Sequence, residues 1–208
     1  MKRICVLIVL LVCTNLVQAQ KYIFFLHNYF LEVAGVEGVH PEYGSAEYRE
    51  ILNDFTNAGF NVISELRHRN TDVKEYARKT VKQIDSLLKR GVPASKITVI
   101  GTSKGGYIAM YVSSYLKNKD VNFVFIGCCG EEDEAAIPEI NFCGNILSIY
   151  ERSDGSARSC LKLKDKSLNK VSRFKEVEVN TGLKHGFLFK ALKAWIEPSI
   201  AWANGKYE

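Results

Sequence analysis

Histidine is scarce in this chain of 208 residues: His27, His40, His68 and His185 are all there are, and they are far apart. Neither C-x-x-C nor H-E-x-x-H occurs, so the ligand spacings that zinc sites use are missing. No metal and no other cofactor is expected. Lysine- and arginine-dense runs are also absent, and a formal charge of +5 is mild, which argues against nucleic acid as a partner. There are no internal repeats, no linker and no low-complexity tract. One apolar run stands out, Ile4–Val12, and it is too short to cross a bilayer comfortably.

That run follows Met1-Lys2-Arg3 and precedes Val17-Gln18-Ala19, the pattern of a signal peptide cut near Ala19–Gln20. The expected organisation is a signal peptide over residues 1–19 and one domain over residues 20–208, with no stable membrane anchor after processing. The product is expected to be exported, either periplasmic or secreted; an uncleaved anchor is the competing reading. Taking away Lys2 and Arg3 lowers the charge from +5 to +3. Cys128, Cys129, Cys143 and Cys160 remain, and an even count in an exported chain reads as up to two disulfides. A direct Cys128–Cys129 bridge would be strained, so one of the two is expected to reach Cys143 or Cys160. Free thiols are the alternative, and a redox role for Gly127-Cys128-Cys129-Gly130 is a distant one.

Strand and helix patterns alternate from Tyr22 to the end. Expected strands are Tyr22–His27, Phe60–Leu66, Lys96–Ile100, Asn122–Gly127, Asn145–Tyr150 and Arg173–Val179. Expected helices are Ser45–Ala58, closed by Gly59; Thr71–Lys89, closed by Gly91 and Pro93; Gly106–Lys117; and a last one from about Leu188. This order predicts an α/β fold with a mostly parallel sheet of about six strands and helices on both faces. A ligand site then belongs at the carboxyl ends of the strands.

The densest signal is Ile97–Met110, ITVIGTSKGGYIAM, where an apolar run breaks at Gly101-Thr102-Ser103-Lys104-Gly105 straight into a helix-forming segment. A serine on a tight strand-to-helix turn is the nucleophile elbow of G-x-S-x-G sites. The bland reading is a glycine-rich turn with an ordinary serine. If Ser103 is a nucleophile, it needs a base and an acid to orient that base. His185, on the glycine-flanked loop Thr181–Gly186 after the last strand, suits the base. Asp154, after the strand Asn145–Tyr150, suits the acid, with Glu151 as runner-up.

The order Ser103, Asp154, His185 resembles that of the α/β-hydrolases, whose triad runs serine, acid, histidine on successive strand-end loops. The resemblance covers essentially the whole of residues 20–208 and extends to small exported bacterial hydrolases of unassigned substrate. It implies a minimal α/β-hydrolase fold whose usual opening hairpin is missing. It also implies an oxyanion hole made by the backbone amide of Lys104 and by one from His27-Asn28-Tyr29, mapped to Tyr29. Asn28 stands where many relatives have glycine.

Only 51 positions separate Ser103 from Asp154, so no cap domain is expected; the leftover segment Cys128–Cys143 has room for a short helix. Tyr29–Gly44 is the longest unassigned loop and is expected to wall the pocket. Candidates there and just before it are His27, Asn28, Phe30, Leu31, Val33, His40 and Tyr43, although His27 suits bracing the loop better than performing chemistry; a surface loop unrelated to the site is the alternative. Arg67, His68, Arg69, Lys104, Arg152 and Lys184 gather near strand ends and read either as a rim for an anionic substrate or as a solvated face. Phe187, Phe189, Trp195 and Trp202 suit packing of the last helix better than stacking on sugar.

The expected function is an exported carboxylesterase-type serine hydrolase acting on a small-molecule ester or on acyl groups exposed on a polymer. An amide or peptide bond hydrolase with the same triad is the enzymatic alternative. A non-catalytic binding module on a hydrolase scaffold is the alternative of another class.

Overall fold

The computed structural model describes residues 20–208; the expected signal peptide lies outside the described residues. The elements run β1 (Tyr22–Leu26), α1 (Tyr29–Ala34), a small hairpin of β2 (Val39–His40) and β3 (Gly44–Ser45), α2 (Tyr48–Asn57), β4 (Asn61–Ile63) and α3 (Val73–Lys89). They continue with β5 (Ile97–Thr102), α4 (Lys104–Leu116), β6 (Asn122–Ile126), α5 (Asp133–Ala136), β7 (Gly144–Glu151), α6 (Leu161–Asp165) and β8 (Val171–Val179). A 3₁₀ turn, Lys184–Phe189, leads to α7 (Lys193–Ala203).

Six strands make one sheet in the order β4-β1-β5-β6-β7-β8, and every neighbouring pair is parallel. Successive side chains on a strand point to opposite faces, and the core divides accordingly. Phe24, Val99, Phe123 and Phe125 pack on one face with Ala77, Ile84 and Leu87 of α3 and Ile108 and Val112 of α4. Ile23, Phe25, Ile100, Val124 and Ile126 pack on the other with Ile51 and Phe55 of α2 and Trp195 and Trp202 of α7. Both tryptophans are buried core residues. Nothing between β6 and β7 amounts to a cap: the segment holds only the four-residue α5. No helix among the described residues is long and apolar enough to cross a membrane.

Local chemistry accounts for where the elements depart from the expected boundaries. The strand expected over Phe60–Leu66 keeps ladder pairing only over Asn61–Ile63, because side chains take over beyond it. Ser64 Oγ donates to the Phe25 carbonyl at 2.7 Å, and the Arg67 amide donates to His27 Nε2 at 2.9 Å. Asp72 caps α3 by accepting from the Glu75 amide at 2.8 Å, so that helix begins at Val73 rather than Thr71. Glu47 stops α2 from starting earlier. Its amide donates to the Phe189 carbonyl at 2.7 Å and its carboxylate accepts from the Ala191 amide at 2.8 Å. That binding also explains why the last helix begins at Lys193 rather than at Leu188: Phe189, Lys190 and Ala191 are tied to Glu47, and Phe187, Leu188 and Phe189 are buried in the 3₁₀ turn before it.

The expected loop Tyr29–Gly44 is structured instead. Asn28 Oδ1 accepts from the Leu31 amide and opens α1, and Gly35 closes it at φ +68°, a conformation that favours glycine. The Asn28 and Gly35 signals bracket YFLEVA and were there to be read.

Cys129 is joined to Cys160, while Cys128 and Cys143 are free and buried. The bridge ties the end of β6 to the start of α6, closing a loop with a sequence separation of 31 that contains β7 and Asp154. Chain-entropy arguments put such a crosslink at about 3–4 kcal/mol. Cys160→Ser is expected to lower the unfolding free energy in urea by that amount with the native spectrum retained; a reducing agent should reproduce the loss in the unmodified protein.

Candidate active site

The β5–α4 turn puts Ser103 at φ 49°, ψ −118°, a left-handed backbone that non-glycine residues avoid. Holding it there costs about 1–3 kcal/mol. Three backbone hydrogen bonds resist relaxation: the Ser103 amide donates to Ile126 at 2.9 Å, and the Gly106 and Tyr107 amides donate to the Ser103 carbonyl at 2.7 and 3.2 Å. The flanking glycines serve closeness rather than a special φ. A Cβ on Gly101 would sit 2.1 Å from the Gly105 carbonyl oxygen, and one on Gly105 would sit 1.8 Å from that of Leu26. The start of α4 therefore lies backbone against backbone on the end of β1.

Ser103, His185 and Asp154 come together from three strand ends. His185 Nε2 is 3.0 Å from Ser103 Oγ, and Nδ1 is 2.5 Å from Asp154 Oδ2. Donation from Nδ1–H to the carboxylate leaves the Nε2 lone pair facing the serine. Burial alone would raise the Asp154 pKa, but the His185 imidazole and the amide and hydroxyl of Ser156 outweigh it and hold the carboxyl below its usual range. The Arg158 guanidinium donates to the Asp154 carbonyl, fixing the loop from outside.

Glu151, the other acid considered, does not meet the imidazole. Its carboxylate accepts from the Thr181 amide and hydroxyl at 2.8 and 2.7 Å and from the Ser153 hydroxyl at 2.9 Å. Burial opposes ionisation here too, and these donors more than compensate, keeping the carboxyl below its usual range. Glu151 thus ties the β7 loop to the loop that carries His185, a role no sequence pattern announced.

Tyr29 and Lys104 are the first residues of α1 and α4, so neither amide has an intrahelical acceptor. Between them lies a buried ionic trio. Glu32 Oε1 accepts from Arg67 Nε at 2.7 Å and Oε2 from Lys104 Nζ at 2.6 Å, with the Glu32 and Arg67 side chains fully buried. Arg67 also donates to the His27 carbonyl. Four members of the expected basic rim are therefore paired with carboxylates: Arg67 and Lys104 with Glu32, Arg152 with Glu178, and Lys184 with Glu42. The rim is a set of ion pairs and offers no row of free cations.

Ser103 and His185 line a cavity of about 390 Å³ with Asn28, Tyr29, Phe30, Val33, His40, Tyr43 and Phe189. His40 and Tyr43 stack at 4.5 Å, and Phe30 and Phe189 meet at 5.0 Å, so the wall is aromatic and carries no formally charged group. Two expected wall residues are elsewhere. Leu31 is in the core. His27 is buried, donating from Nδ1 to the Asn28 carbonyl at 2.8 Å and accepting at Nε2 from the Arg67 amide. It braces the loop and does not face the cavity. Phe189 was expected only to pack, and the 3₁₀ turn that also carries His185 brings it to the cleft; nothing in its sequence context marks this. Larger recesses, about 530 Å³ beside the disulfide and about 890 Å³ beside the C-terminus, touch none of these residues. Cys128, Cys129 and Cys160 have their sulfurs within 4.8 Å of one another, but two of those sulfurs are bonded together, which leaves one thiol and no ligand set.

Solved structures with this fold are numerous, at low sequence identity. A truncated carbohydrate esterase from gut microbiota superposes with a TM-score of 0.60 at 15% identity, over 91% of this chain and 86% of its own. SOBER1 from Arabidopsis thaliana gives 0.59 at 11% identity over 91% and 100%. A predicted CIB-like hydrolase from Thermoplasma acidophilum gives 0.58 at 13% over 90% and 88%. No protein-family model matches the chain, and no curated protein does. The chain has the α/β-hydrolase fold.

His27 yields a pH prediction. Burial, then the Arg67 charge, push its pKa down to about 4 from 6.5. Between those values the unfolded chain binds a proton that the folded one does not, so stability falls as pH falls through the window. The total is about 3 kcal/mol, with no further contribution above the window. His27→Gln is expected to flatten that part of the profile, measured by urea unfolding across the same range.

Proposed function

We propose that this chain is an exported serine hydrolase that cleaves acyl esters through an acyl-enzyme. The observation that carries the reading is His185 held between Asp154 at 2.5 Å and Ser103 at 3.0 Å, with the serine on a strained elbow beside an open cleft. His185 takes the Ser103 proton as Oγ attacks the carbonyl, and the amides of Lys104 and Tyr29 receive the oxyanion. His185 then protonates the leaving alcohol, and water, activated by the same imidazole, releases the acid. Asp154 keeps the imidazole in the reactive tautomer and stabilises its protonated form.

An aromatic, formally uncharged wall supports an ester whose group in the cleft is apolar and carries no carboxylate or phosphate. The cleft is open enough for a small-molecule ester or for acyl groups displayed on a polymer. Export rests on the N-terminal pattern of residues 1–19 and agrees with the Cys129–Cys160 bridge, which belongs to oxidising compartments. Cleavage of amides would use the same groups. A binding module would have no need for all three side chains at hydrogen-bonding distance.

A fluorophosphonate probe tests nucleophile activation without the natural substrate. The expected result is one adduct at Ser103, found by peptide mapping, and none in Ser103→Ala. A folded protein that takes no label would overturn the reading. Against short p-nitrophenyl esters, Asp154→Asn is expected to lower kcat by about 10³–10⁴-fold, whereas Glu151→Gln should leave kcat within about ten-fold; the reverse order would give the acid's role to Glu151.

A further inference from the structure

Glu32 is a buried charged group that the mechanism above does not use. Its carboxylate is fully buried, one residue short of a full helical turn beyond Tyr29, and each oxygen holds a different cation. One arm reaches Lys104, the residue after the nucleophile. The Lys104 ammonium also sits 5.2 Å from the centre of the Tyr29 ring, so it bridges the first residues of α4 and α1. The other arm reaches Arg67, which donates to the His27 carbonyl and whose amide donates to the His27 ring. Both routes therefore end at the backbone that carries the two expected oxyanion donors. A buried carboxylate with two cations is a poor source of net stability, since desolvation offsets the attraction. What the arrangement supplies is fixed relative placement of two chain segments 72 positions apart in sequence.

We propose that Glu32 is a positioning residue for the oxyanion hole, clamping Lys104 and, through Arg67, the His27–Tyr29 backbone, so that the two donor amides keep their spacing. This rests on the serine hydrolase reading given above. Misplaced amides cost most where the oxyanion forms and little where the ground-state ester binds. Removing the clamp therefore lowers kcat and leaves KM nearly unchanged. It also weakens a trifluoromethyl ketone, whose adduct with Ser103 carries the same oxyanion, by the same factor.

Two variants test this in the full-length exported protein. Glu32→Gln removes the charge that both arms need and is expected to lower kcat and ketone affinity together by about 10–100-fold. It leaves Arg67 buried without its counter-charge and is expected to destabilise the fold, so a second variant is needed. Lys104→Met cuts only the arm to α4, at a side chain that is partly exposed, and keeps the Glu32–Arg67 pair. Its expected loss is about ten-fold in both quantities, with Lys104→Arg restoring most of it. Two outcomes overturn the inference: Lys104→Met with wild-type kcat and ketone affinity, or a fall in kcat that the ketone does not share. If instead wild type neither binds the ketone nor takes the fluorophosphonate, the serine hydrolase reading fails and the inference falls with it.

Discussion

Direct contact between two backbones organises this molecule. The start of α4 presses on the end of β1 so closely that a single methyl group at Gly105 would overlap the Leu26 carbonyl. Because no side chain separates them, β5 must turn into its helix within one residue, and that residue is Ser103 at a left-handed φ. The first residue of α4 then stands beside the first residue of α1, which puts two amides without intrahelical acceptors next to the serine's loop. Strain at Ser103, the two glycines that flank it and the pairing of those two helix starts are consequences of one packing choice.

Around that contact, charges are placed inside and apolar groups outside, the reverse of the usual arrangement. Glu32 and Arg67 are fully buried below the cleft, while Phe30, His40, Tyr43 and Phe189 line the open side. His27 joins the two layers. Its ring must accept a hydrogen bond from the Arg67 amide at Nε2, which only the neutral imidazole can do, and its depressed pKa follows from burial beside that cation. On the far side of Ser103, Glu151 does for the His185 loop what Glu32 does for the oxyanion loop: a buried carboxylate gathers donors from two segments that share no ladder pairing at that point.

The alternating strands and helices, the elbow and the order of Ser103, Asp154 and His185 were all legible in the sequence, because each depends on local patterns: apolar runs, glycine spacing and strand-end loops. Preference for Asp154 over Glu151 was legible for the same reason, since a residue at the very end of a strand stays close to the sheet. The trio of Glu32, Arg67 and Lys104 was not, because its members lie on three separate connections and each reads alone as an ordinary surface charge. The choice left open for the basic cluster, rim or solvated face, could not be made for the same reason: a cation near a strand end shows nothing of the carboxylate that faces it. Phe189 was missed because a 3₁₀ turn has no strong periodicity to set which way its residues point.

Nearly all of the cleft's aromatic wall comes from one continuous stretch, Asn28 to Tyr43, inserted between β1 and α2. Phe189 alone is contributed from elsewhere. The proposed reacting groups Ser103, Asp154 and His185 belong to other connections altogether. The side chains proposed to move protons and most of the wall are thus carried by different parts of the chain, while the proposed oxyanion donor Tyr29 and its positioning residue Glu32 share the wall's stretch. A lineage can revise the shape of the cleft at Phe30, Val33, His40 and Tyr43, and the strand-end groups proposed to move protons need not change with it.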